Sequence, residues 1–145
     1  MGWLFAAIAG ALMSLQGVMN TRLSEKIGLY ESNMYVQGTA FLLSLIAMWI
    51  FGKGQLNQLG QVNKGYWLGG ALGLAITITV MLGMKALSPT LAVSTILIAQ
   101  LVVAALIDGF GWMGTDKQPF NWHQFAGVLL IVGGIILFKW KSAAA

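Results

Sequence analysis

Cysteine is absent from the 145 residues, and formal charge is scarce: eight Lys or Arg, four Asp or Glu, and one His. The missing thiols exclude a disulfide, a thiolate metal site and a cysteine nucleophile. The scarcity of charge excludes a water-facing surface. Only 8% of residues are charged, where a soluble domain carries roughly 25%, and 58% are hydrophobic. Proline occurs twice, so little interrupts long helices. The single histidine, His123, is accompanied by no metalloprotease, nucleophile-elbow, P-loop or dinucleotide-binding pattern. An enzyme is therefore not expected, nor a cofactor or a metal. The net charge of +4 is ordinary for a chain with basic residues at membrane edges and gives no reason to expect a nucleic-acid partner.

What is present is a series of five apolar stretches, residues 3–21, 34–52, 67–87, 90–110 and 122–139, with almost all charges between them. Each is roughly 18 to 22 residues long, the length a helix needs to cross about 30 Å of hydrocarbon. None shows the polar–apolar alternation of a membrane barrel strand. The expected fold is an all-α membrane protein, one domain of five transmembrane helices over residues 1–141. Residues 142–145 read as a cloning tail. The first stretch lacks a basic leader and is expected to be retained as a span rather than cleaved. Trp3, Trp49, Trp67, Trp112, Trp122 and Trp140 fall near span ends as an aromatic belt.

Five spans place the termini on opposite sides. The N-terminal side, A, receives Lys53, Lys64 and Lys117; the other, B, receives Arg22, Lys26, Lys85, Lys139 and Lys141. The positive-inside rule favours a cytoplasmic side B, but so small a bias permits insertion in both senses. An odd span count is also what inverts a second copy relative to the first, the arrangement of transporters built from inverted repeats. The chain is thus suited to be half of a ten-helix inverted-repeat transporter, working as an antiparallel homodimer. A parallel dimer, or a fixed-orientation subunit, is the other arrangement open to it.

Polar side chains within spans point to a site, since they are costly unless they face a partner helix or a cavity. Gln16 and Asn20 lie one turn apart on the first helix, with Ala9 and Met13 extending the stripe and Gly17 beside it. Gln37 lies near the start of the second helix. Gln100 sits near the middle of the fourth, roughly 15 Å from its start. These four amides are the candidate substrate-binding residues and suit a neutral, zwitterionic or hydrogen-bonding substrate; interhelical hydrogen bonding is their alternative role. Asp108, the one acid inside a span, is the candidate for proton or ion coupling, or else an interfacial cap on the turn that follows. Gly69 with Gly73, and Gly127 with Gly134, read as helix-packing positions. Met81, Met84 and Thr77 form an adaptable stripe better suited to packing than to binding.

The segment Leu15-Gln16-Gly17-Val18-Met19-Asn20, together with Gln100 and Asp108-Gly109-Phe110-Gly111-Trp112-Met113-Gly114, resembles the small five-span YdcZ-like (domain of unknown function 606) family. The Lys85-Ala86-Leu87-Ser88-Pro89 turn and the glycine-rich last helix extend the resemblance over nearly the whole chain. That family belongs to the drug/metabolite transporter superfamily, whose ten-span members look like two inverted five-span halves. The resemblance implies a secondary transporter, an exporter, in the bacterial inner (plasma) membrane. It implies a small metabolite or drug-like substrate, with Gln16, Asn20, Gln37, Gln100 and Asp108 as motif positions. Related four-span multidrug exporters use a glutamate in the middle of the first helix, where this chain has Gln16; Glu31 is the candidate substitute. The competing reading is a non-transporting accessory or assembly membrane protein.

Overall fold

The computed structural model describes residues 1–118 and 121–142, so residues 143–145 of the expected tail lie outside the described residues. Five α-helices follow one another: α1 (Gly2–Ile27), α2 (Leu29–Phe51), α3 (Gly69–Ala86), α4 (Pro89–Phe110) and α5 (Trp122–Ser142). Short 3₁₀ segments, Leu56–Gln61 and Lys64–Leu68, connect α2 to α3. Four helical segments are long and apolar enough to cross a membrane: Gly2–Ile27, Leu29–Phe51, Lys64–Ala86 and Pro89–Phe110. The apolar part of α5, Trp122–Leu137, is shorter, about 24 Å at 1.5 Å per residue. The all-α architecture is therefore four long apolar helices and a shorter fifth.

Two compact units make up the chain, Met1–Ala86 and Leu87–Ala145. In the first, α1, α2 and α3 all pack on one another. Its buried residues gather where α1 passes into α2: Gly17, Asn20, Thr21 and Ser24 on α1, Ser32 and Asn33 on α2, and Met81 and Met84 on α3. Most are small or polar, while the large apolar side chains of the first sixteen residues and of the second half of α2 are exposed. That distribution suits a chain whose solvent on most sides is hydrocarbon. Gly17 is what brings α1 and α3 together. A Cβ there would lie 2.6 Å from Met84 Cε and 3.2 Å from Val80 Cγ1, so glycine lets α3 seat with Met84 in place, and any side chain requires the end of Met84 to move.

The boundary between α1 and α2 differs from the apolar pattern. α1 runs past Thr21 to Ile27 and α2 begins at Leu29, so the charged stretch between the first two spans is helical. Arg22 pairs with Glu25 at 3.1 Å one turn along, and no residue in this stretch breaks a helix before Gly28. Gly28 adopts φ 102, a left-handed conformation open mainly to glycine, and reverses the chain in a single residue.

In the second unit Ser88 caps α4, its Oγ accepting from the Leu91 amide at 3.4 Å, and Pro89 occupies the first turn. α4 ends at Gly111, φ 68, whose amide donates to the Ile107 carbonyl. α5 packs on α4. Gly127, Gly133, Gly134 and Gly69 have no neighbour within 4 Å of a built Cβ, so within the described residues these glycines do not create close helix contacts.

The Gly17 contact makes a measurable demand. Gly17→Leu is expected to destabilise the detergent-solubilised protein by about 1–3 kcal/mol, whereas Gly17→Ala costs less because the flexible end of Met84 can move. Adding Met84→Ala to Gly17→Leu should recover part of that loss in a double-mutant cycle read by denaturant unfolding.

Candidate functional site

α1 presents two faces. Gly17, Thr21 and Ser24 turn inward, and Gln16 and Asn20 flank them on one side. At 3.6 residues per turn, Asn20 stands about 60° and Gln16 about 100° from the direction of Gly17. Asn20 is accordingly 8% exposed and Gln16 is open. Between them runs an open groove of about 580 Å³, lined by Ala9, Met13, Gln16 and Asn20 with Leu12 and Met19 along its sides. The thioethers and alkyl groups make it mainly apolar, and the two amides are its polar points. Neither amide bonds to another side chain among the described residues, so both are available to a ligand or to a partner helix.

Gln37 does not join that groove. It is half-buried on α2 and directed at α3, with its Nε2 3.8 Å from the position a Cβ would take on Gly73. At that distance a Cβ on residue 73 would meet Gln37 in ordinary contact, so this small-residue position is not a close-packing one. Met81 is fully buried and Met84 nearly so, in line with a packing role for that stripe. Thr77 is occupied locally, its Oγ1 donating to the Gly73 carbonyl at 2.8 Å.

Within the second unit Gln100 is exposed on α4, and Asp108 is exposed in its last turn. The turn after Asp108 is closed by main-chain groups and a threonine. The Gln118 amide donates to the Asp108 carbonyl at 2.9 Å, and Thr115 Oγ1 donates to the carbonyls of Trp112 and Ile107 at 2.9 and 3.4 Å. The rings of Phe110 and Trp112 stack at 5.2 Å. The Asp108 carboxylate is not used in any of this and has no partner among the described residues. His123 Nδ1 lies 3.3 Å from Asn121 Oδ1, and no group of three acidic or histidine ligands occurs among the described residues.

The pattern reading missed the polar residues at the α1–α2 turn. Ser32 is 0% exposed and Asn33 4% exposed, and Ser32 Oγ and Asn33 Oδ1 have no hydrogen-bond partner. Ser24 and Ser32, four residues either side of Gly28, carried a usable signal: two hydroxyls spaced evenly about a glycine between helices. Glu31, next in line, folds its carboxylate against Gly28, where a Cβ would collide with it.

These features, a groove with two free amides on an apolar chain of long helices, fit a membrane carrier. The family model described as "Putative inner membrane exporter, YdcZ" matches residues 1–137. The chain belongs to this YdcZ family. As a family member it is a multi-pass protein of the inner membrane, and the family's description is that of a transporter rather than an enzyme. No curated protein and no solved structure matches it. Within the YdcZ chain, the segment from Leu15 to Asn20 divides between a packing residue, Gly17, an exposed amide, Gln16, and a buried one at the edge, Asn20.

Whether the α1 groove holds water is open to a direct reading, since the chain has no cysteine of its own. Gln16→Cys is expected to react with a small water-soluble thiol reagent at least about tenfold faster than Leu43→Cys, an equally open position on the apolar part of α2. Equal rates would mean that the groove faces lipid.

Proposed function

We propose that this YdcZ-family protein exports a small neutral or zwitterionic metabolite or drug-like molecule by alternating access, working as an antiparallel homodimer of five-span chains. The observation that carries the reading is the α1 face of Gln16 and Asn20. α2 and α3 are packed on α1, yet this groove is left open, with polar points that a chain in hydrocarbon would otherwise avoid. Gln16, Asn20, Gln37 and Gln100 contribute the hydrogen-bonding positions of the pathway, and Asp108 the proton or ion coupling. The free carboxylate of Asp108 supports that assignment, because the turn beside it is closed without it. α5 serves as the fifth span. The near balance of basic residues on the two sides supports dual insertion, and an odd span count makes two such chains inverted halves.

Two measurements test the proposal. Single cysteines at Asn57 and Ser142, labelled from outside whole cells with an impermeant maleimide, should both react; labelling of Asn57 alone would sink the antiparallel homodimer. Proteoliposomes loaded with a panel of neutral and zwitterionic solutes should release at least one of them through the protein. Gln16→Leu or Gln100→Leu should slow that release by about tenfold, the equivalent of one lost hydrogen bond, with assembly unchanged. If the variants instead disrupt the oligomer and the protein moves nothing, the polar residues serve assembly.

A further inference from the structure

The segment that joins α2 to α3, from Gly52 to Leu68, is exposed throughout and carries Lys53 and Lys64 with no acidic residue. Within the first unit the acids, Glu25 and Glu31, lie at the other end of α1 and α2, on either side of Gly28. Neither lysine has an ion-pair partner among the described residues. The connector is thus a cationic strip with nothing of its own chain to neutralise it.

Its fold sorts the remaining side chains. Leu56–Gln61 is a 3₁₀ helix, in which residues three apart eclipse, so it presents three rows. Leu56 and Leu59 form one row, both more than half exposed, and Val62 follows at the same spacing. Asn57 and Gly60 form the second. Gln58 and Gln61 form the third, which Gln55 extends, Gln58 Nε2 donating to Gln55 Oε1. The segment is amphipathic at its own period of three, and its apolar row is uncovered.

The position of this row says what covers it. The connector joins two helical segments long and apolar enough to cross a membrane, so it lies at a membrane surface. Trp49 on α2 and Trp67 just before α3, both exposed, mark the headgroup level at its two ends. A leucine row at that level enters the upper acyl region, while the glutamine row and Asn57 stay in water. A mainly apolar open cleft of about 410 Å³ continues the row to the end of α2, lined by Met48, Gly52, Gly54, Gln55 and Leu56. Lys53 stands in the chain between the two lining glycines, which puts a cation on the segment that walls the cleft. Two lysines without an acid select a headgroup of net negative charge; a zwitterionic headgroup brings a cation of its own, which they repel.

We infer that the α2–α3 connector is a docking surface for anionic phospholipid, with Lys53 and Lys64 at the headgroup phosphates and Leu56 and Leu59 among the acyl chains. The inference concerns the chain's contact with its own bilayer and does not rest on the exporter reading.

The absence of native cysteine allows the test in the full chain. Leu59→Cys and Asn57→Cys, each carrying a small fluorophore, are reconstituted in phosphatidylcholine vesicles containing a minor fraction of nitroxide-labelled lipid, either phosphatidylcholine or phosphatidylglycerol. Both leaflets have the same composition, so the result does not depend on which way the chain inserts. The label at Leu59 should be quenched more strongly than that at Asn57. At low salt phosphatidylglycerol should be preferred over phosphatidylcholine at Leu59 by about tenfold, as two lysines near the surface allow. Lys53→Gln with Lys64→Gln, at exposed side chains that hold no part of the fold, should bring that preference close to one, and high salt should lower it in the unsubstituted chain. No quenching at Leu59 would overturn the inference and leave the apolar row to water or a protein neighbour. Equal quenching by the two lipids would overturn it as well, as would a phosphatidylglycerol preference that survives the double substitution.

Discussion

The seating of Met84 and Val80 on Gly17 sets the rotation of α1, and most of what the first unit presents follows from that rotation. With Gly17 turned toward α3, helical geometry carries Thr21 and Ser24 inward and sends Gln16 outward, with Asn20 at the edge. A large side chain at position 17 would push the helices apart and leave the direction of the two amides unspecified. The glycine therefore acts on the groove without touching it. In the YdcZ family segment from Leu15 to Asn20, adjacent residues have opposite orientations for this reason.

Satisfying polar atoms in an apolar setting shapes the remainder. Along the helices the main chain bonds to itself, and serine and threonine hydroxyls bond to the turn before them. Helix ends have no such internal solution, and the chain treats two of them differently. After α4 the segment through Thr115 and Gln118 folds back to serve the carbonyls of Ile107 and Asp108. Between α1 and α2 one glycine makes the reversal, so there is no loop to fold back, and Ser32 Oγ and Asn33 Oδ1 at the start of α2 are buried without a hydrogen-bond partner.

The exposed apolar surface and the open face of α1 follow from one composition. Apolar residues cover most of the surface, the buried set is small and polar, and the only amides of the first helix stand in a groove that its own neighbours do not fill. A chain of this kind gains little from burying hydrophobic area, because lipid is as apolar as leucine. Specific contacts at glycines and polar atoms then decide how helices meet.

The amino-acid sequence by itself determined the medium and the element type: scarce charge and long apolar runs permit only membrane helices, since hydrocarbon offers no partner to an unpaired backbone. It also determined the α3–α4 break, because Ser88-Pro89 caps and starts a helix by local chemistry. Gln16 and Asn20 were legible as a pair, because four residues is one turn whatever the helix packs against. Only the tertiary structure decided which way that pair points, that Gln37 turns to α3 instead, and that Gly17 rather than the glycine stripes of α3 and α5 is a close-contact position. It alone showed Ser32 and Asn33 buried without partners. Periodicity records which residues share a helix face, but the packing of one helix on another decides where that face is aimed.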